Sequence, residues 1–232
     1  MLDKEEGVVV LYNHKNNTIN QGGEVMLFHK RNLKPIAIMF VVIFLGVAVN
    51  GRTAKAISST TSVSITGVRQ AMDQWCWAAC AEIIGKTVFS GSTRTQFDVV
   101  NLLKRTDENP WPNVGGLPSD GAAGASYVAF YNKNFMGEYE TLNFSEITYS
   151  LAKGYAVSTS GGYYESGERV GGHAVVVYMT QFIEYGAQTT YRVTYYDPWD
   201  GTTHTCSYEE FCDGTYNSRI YDRSVYVAGS IQ

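Results

Sequence analysis

The chain is short of cysteine, proline and histidine, with four, five and four respectively among 232 residues. Four cysteines are too few for a disulfide-scaffolded mini-protein. Few prolines, 17% charged residues, 44% apolar and 13% aromatic residues exclude a disordered chain, which lacks the apolar surface to offset its entropy. There is no excess of positive charge: 18 Lys and Arg stand against 22 Asp and Glu, and the pI is near 5.6. A nucleic-acid partner, which needs a basic footprint, is not expected. The sequence also has no internal repeat, no heptad pattern and no phosphate-binding glycine loop. What remains is the length and composition of one sizeable domain.

The longest uncharged apolar run, residues 36–49 (IAIMFVVIFLGVAV), is shorter than the ~20 residues a membrane-spanning helix needs. Lys30, Arg31 and Lys34 precede it, and Ala54-Lys55-Ala56 supplies a small-x-small pattern after it. Residues 26–56 therefore read as a signal peptide, with export as the expectation and an uncleaved, outward-facing membrane anchor as the alternative. Met26 is a natural start for such a signal, which makes residues 1–25 an over-extended N-terminus. Cleavage after Ala56 leaves 11 Lys and Arg against 18 Asp and Glu in residues 57–232, a net charge of −7. Contact with a membrane is then expected only through the signal segment. Only two histidines, His173 and His204, remain in that part.

Residues 57–69 read as a short extended arm and 70–232 as the folded domain. Cys76, Ala79, Cys80, Ile83 and Ile84 follow helical spacing, predicting a helix over 74–84 with Asp73 as N-cap and Gly85 as its stop. Further helices are expected over 95–105, 121–133 and 145–153. Pro110, Pro112, Pro118 and Gly115-Gly116 make 107–120 a predicted loop. After Gly154 come β-branched and aromatic runs at 155–160, 173–180, 189–196, 202–206 and 224–228. Helices followed by strands indicate an α+β fold.

Cys76 falls in the first turn of its predicted helix, where unpaired N–H groups and the helix dipole stabilise a thiolate. A thiolate nucleophile needs a base and a group to orient that base. The base is then His173 or His204; His173 lies at the head of an apolar strand behind Gly171-Gly172, whereas His204 sits in a polar T-H-T-C run. Asp197, at the end of YRVTYYDP, is placed to hold the His173 ring, with Trp199 beside it as a shield from water. Gln70, six residues before Cys76, is a candidate oxyanion donor. The plainer alternative makes Cys76 one more buried residue of the helix stripe.

Gln70-x5-Cys76-Trp77-Ala78-Ala79, Gly172-His173-Ala174-Val175-Val176 and Asp197-Pro198-Trp199 together resemble the motifs of papain-like cysteine peptidases. The similarity is to the compact bacterial branch that includes double-glycine-peptidase-like proteins and secreted virulence proteases, and it covers roughly residues 66–228. It implies a two-lobed fold, a helical lobe carrying Cys76 and an antiparallel sheet lobe carrying His173. It further implies Cys76 as nucleophile, His173 as general base and acid, Asp197 as the orienting residue and Gln70 as oxyanion donor. The implied activity is a secreted peptidase, monomeric, acting on peptide or protein substrates without a metal or other cofactor. Asp197 stands where plant enzymes of this family carry Asn, and the long prodomain of papain is missing.

Trp77, Gly172, Trp199 and Tyr164 are candidates for the substrate cleft, with Trp75 and Trp111 as further aromatics. Cys206 and Cys212 flank SYEEF and are disulfide candidates, with a pairing of Cys80 to one of them as the rival. A zinc site from Cys76, Cys80, His204 and Cys206 or Cys212 leaves Gln70, His173 and Asp197 without a role. The competing functions are a cell-wall amidase or endopeptidase, an acyl or glutamyl transferase with the same triad, and a catalytically inactive binding module.

Overall fold

The computed structural model describes residues 56–106 and 111–231. The expected N-terminal extension and all of the signal segment but its last residue lie outside the described residues. In chain order the elements are β1 (Ile57–Ser62), α1 (Cys76–Val88), α2 (Gln96–Lys104), α3 (Pro118–Val128), β2 (Phe135–Glu138), α4 (Phe144–Ala152), β3 (Val157–Glu165), β4 (Glu168–Tyr185), β5 (Gln188–Asp197), β6 (Thr202–Ser207), α5 (Tyr208–Asp213) and β7 (Ile220–Val227). The fold is α+β. Its strands run in the order β2-β7-β3-β4-β5-β6, with β1 added against β4, and every pairing is antiparallel.

Strand β4 organises the molecule. Its first half pairs with β3 as far as Val177, and its second half pairs with β5 and β1. His173 to Val177 are all buried, although antiparallel strands commonly alternate buried and exposed. The reason is a core on each face. Ala174 and Val176 pack with α1, α2 and α3 residues such as Ile83, Val99 and Val128. Val175 and Val177 pack with Ile147 and Leu151 of α4 and Phe211 of α5.

Several boundaries differ from the sequence expectation: the helix expected over 121–133 ends at Val128, the strand expected over 173–180 runs from Glu168 to Tyr185, and three further differences have a clear physical cause. Asp73 does not cap α1: the helix begins at Cys76, behind Trp75, and has no side-chain cap. Trp75 is wholly buried and donates its indole N–H to the Pro112 carbonyl at 2.9 Å, so tertiary contacts set the start. Gly85 does not stop α1, which continues to Val88. A Cβ there would lie 2.6 Å from Val128 Cβ and 2.8 Å from the Ala125 carbonyl oxygen, so this glycine permits close approach of α1 to α3. Pro118, expected in a loop, opens α3, where its missing N–H needs no partner. The sequence reading also lacked β2, a four-residue edge strand whose partner β7 lies about 90 residues later.

Candidate active site

The last β4–β5 pair is Val176 with Tyr196, so His173 and Asp197 lie just past the point where these strands part. There the His173 Nε2 meets Asp197 Oδ1 at 2.5 Å. The Asp197 carboxylate also accepts the Trp199 backbone N–H at 2.8 Å, and the Arg219 guanidinium lies 3.4 Å from its second oxygen. With Nε2 engaged, Nδ1 is the ring nitrogen left for Cys76, which lies close enough for His173 to lower its pKa. Cys76 is the first residue of α1 and its backbone N–H has no acceptor among the described residues.

The electrostatics separate this thiol from its helix neighbour. Burial alone raises the Cys76 pKa, but the His173 hydrogen bond and charge, with the Ala174 and Trp77 backbone N–H groups, lower it below the ordinary value. Cys80, one turn on, is fully buried; burial and the nearby Cys76 charge push its thiol well up, so it stays protonated. For His173, burial favours the neutral ring, yet the Asp197 hydrogen bond and then Cys76 outweigh it and raise the pKa to about 9. Asp197 is held below the carboxylate range despite burial, by His173, the Trp199 N–H and Arg219. Both shifts act in favour of a thiolate beside an imidazolium, and such a pair titrates as a unit.

Cys76 and His173 open into a cleft of about 470 Å³ between the α1 end, the 115–118 turn and the β7–β3–β4 face. Trp77 and Gly172 line it, as proposed from sequence. Trp77 is pinned by its indole N–H to the Val114 carbonyl at 3.1 Å and packs against Gly116. The structure does not bring Tyr164 or Trp199 to the lining. The Tyr164 hydroxyl is held by Asp222 at 2.8 Å, and the Trp199 side chain is 55% exposed beyond the turn that follows β5. Trp75 and Trp111 pack edge-to-face beneath the α1 start and do not line the cleft either.

Gln70 lies on the loop into α1, tied by its backbone N–H to the Pro198 carbonyl at 2.9 Å. Both N–H groups of its side-chain amide are donated to the Met72 and Asp73 carbonyls at 2.8 Å, and its Oε1 is buried without a partner. Gln70 is therefore not aimed at the cleft in this conformation, and the nearest unengaged donor to the sulfur is the Cys76 backbone N–H.

The other candidates separate cleanly. All four cysteines are free thiols, so the expected Cys206–Cys212 bridge is not formed. Cys206 is packed in the second core, where burial pushes its thiol up to about 11, and Cys212 is hydrogen-bonded with the Tyr208 phenol and also raised by burial. Protonated thiols are poor partners for disulfide exchange. The zinc set considered from sequence is not assembled: His204 faces Asp200 at 2.8 Å and Thr202 at 3.0 Å on β6. Among the described residues the group close enough to share an ion is Asp197, Asp200 and His204, but Asp197 is already engaged by His173, Trp199 and Arg219.

The sequence reading missed Arg219, Arg169 and Arg223. Arg219 reaches Asp197 from the segment before β7, a pairing that no local spacing signals. Arg169 and Arg223 line the cleft from β4 and β7. No family model matches this chain, and no curated protein matches it.

Proposed function

We propose that this protein is a cysteine peptidase in which Cys76 is the nucleophile, His173 the general base and acid, and Asp197 the residue that orients His173. The observation that carries this reading is Cys76 at a helix N-terminus beside His173, which is itself hydrogen-bonded to Asp197, on the wall of an open cleft. The Cys76 thiolate adds to the carbonyl carbon of a peptide bond, and the carbonyl oxygen takes up negative charge. The Cys76 backbone N–H, helped by the positive end of α1, stabilises that oxyanion. His173 gives its proton to the leaving nitrogen, the C–N bond breaks, and a thioester remains on Cys76. His173, now neutral, takes a proton from water as the water attacks the thioester, releasing the acid and restoring the ion pair.

Gln70 joins as a second oxyanion donor if its amide turns from the Asp73 carbonyl when substrate binds. A papain-like two-lobed arrangement and an exported location belong to the same proposal. The first is supported by the cleft being lined on one side by the α1 start and α3 and on the other by β3, β4 and β7, and the second by residues 26–56 of the sequence. The test is incubation of the purified protein with a mixed peptide pool, followed by mass analysis, with Cys76→Ala as control. New termini from wild type and none from Cys76→Ala are expected. Equal cleavage by both overturns the nucleophile assignment; transfer of acyl groups to added amines, or cleavage of wall fragments alone, favours a transferase or wall hydrolase.

A further inference from the structure

The protein is acidic over residues 57–232, yet the lining of its cleft carries two arginines, Arg169 and Arg223, and one acidic residue, Asp73. Arg223 on β7, Ser160 on β3 and Ala174 on β4 are cross-strand neighbours in one row. Arg223 thus stands about 10 Å, two strand spacings, from the residue that follows His173. Arg169 arrives from the start of β4 and folds back over the sheet. The place where it lies is built by two glycines. A Cβ at Gly162 would sit 2.8 Å from Arg169 Nε, and a Cβ at Gly172 would collide with its Nη2. The guanidinium is anchored there by Asp222, which accepts from Nε at 2.7 Å, and by the Ser160 hydroxyl at 3.4 Å from Nη2.

This anchoring leaves charge and donors unused. Asp222 is one carboxylate facing two guanidinium groups, with Arg223 Nε 3.7 Å from its Oδ1. Arg223 Nε and the Asp222 Oδ1 facing it are both buried without a hydrogen bond, and the Arg223 guanidinium stacks on the Tyr139 ring at 4.6 Å, so what Arg223 offers the cleft is its charge and its terminal N–H groups. Arg169 Nη1 has no acceptor among the described residues. The one acidic residue of the lining, Asp73, is exposed on the opposite, helical side. Arginine is suited to this duty, since its planar fork matches a carboxylate and keeps its charge when desolvated.

We propose that Arg169 and Arg223 form a carboxylate-recognition subsite, which selects peptides presenting an acidic side chain or a free C-terminal carboxylate next to the bond held at Cys76. The identity of the ligand as a peptide rests on the peptidase reading; the anion selectivity rests on the two arginines. Binding to Cys76→Ala protein separates the two, because it needs no turnover. Three pools of N-acetylated octapeptides without other charged residues serve as probes. One has a single internal Glu and an amidated C-terminus, one has Gln in that place, and one has Gln with a free C-terminus.

One of the carboxylate pools should bind at least about tenfold more tightly than the neutral pool, the size of a charge-assisted hydrogen bond. Tighter binding of the Glu pool identifies a side-chain carboxylate, and tighter binding of the free-terminus pool a chain end. Arg169→Gln, and separately Arg223→Gln, should bring the preferred pool down towards the neutral one. Equal binding of all three pools by Cys76→Ala overturns the proposal, as does a preference that survives in both arginine variants. If the preference is found but wild type cleaves no pool, the subsite stands and the peptidase reading falls.

Discussion

At the scale of single residues, the site depends on which ring nitrogen of His173 faces which partner. Asp197 takes Nε2 and so directs Nδ1 at the Cys76 sulfur. In the proposed reaction the His173 imidazolium protonates the leaving nitrogen; it survives until the pH rises through about 9, and the Cys76 pKa lies below the ordinary thiol value. Cleavage should therefore fall on the alkaline side near 9. Asp197→Asn keeps an acceptor oxygen but removes the charge that keeps His173 protonated. It should move the alkaline limb to lower pH and slow turnover at least about tenfold, roughly 1.4 kcal/mol in the barrier. A pH–rate profile with an unmoved alkaline limb would show that Asp197 is not coupled to His173. Because the Asp197 pKa is lowered in the folded state, its stabilisation is present above its ordinary value and lost as pH falls through the lowered one. The stability gap between wild type and Asp197→Asn should thus shrink in acid.

At the scale of elements, packing decides what composition leaves open. Helix propensity favours alanine over glycine by about 1 kcal/mol in a helix interior, so propensity alone predicts that Gly85→Ala stabilises α1. The 2.6 Å approach to Val128 Cβ and the neighbouring Ala125 carbonyl argue the reverse. An overpacked contact of this kind costs about 1–3 kcal/mol. Gly85→Ala should accordingly lower the melting temperature, and an unchanged or raised one would refute the close α1–α3 contact. The same tension explains what could be read in advance. The stripe Cys76, Cys80, Ile83, Ile84 marked a helix because its partners recur every turn. The start at Trp75 and the run past Gly85 depend on Pro112 and Val128, which lie far along the chain.

At the scale of the whole molecule, the fold sorts four thiols into two environments. All four sit in or against the two cores, and burial raises the pKa of Cys80, Cys206 and Cys212; Cys76, at a helix start with a histidine beside it, is lowered instead. The chemical members of this site were legible because each carries its own local sign: a cysteine at a helix start, a histidine behind two glycines, an aspartate at a strand end. The Arg169 seat was not, since it exists only when β3, β4 and β7 are in register and Gly162 lies over Gly172. Nor was the engagement of the Gln70 amide by the Met72 and Asp73 carbonyls, which depends on how the loop before α1 turns. The central claim, an activated Cys76 thiolate, is tested most directly by iodoacetamide alkylation at pH 6 with peptide mapping of all four cysteines. Cys76 should be modified alone, at least about tenfold faster than a free cysteine peptide, and His173→Ala should abolish the advantage. Alkylation of Cys76 no faster than the free peptide, or no faster than in His173→Ala, would contradict the account.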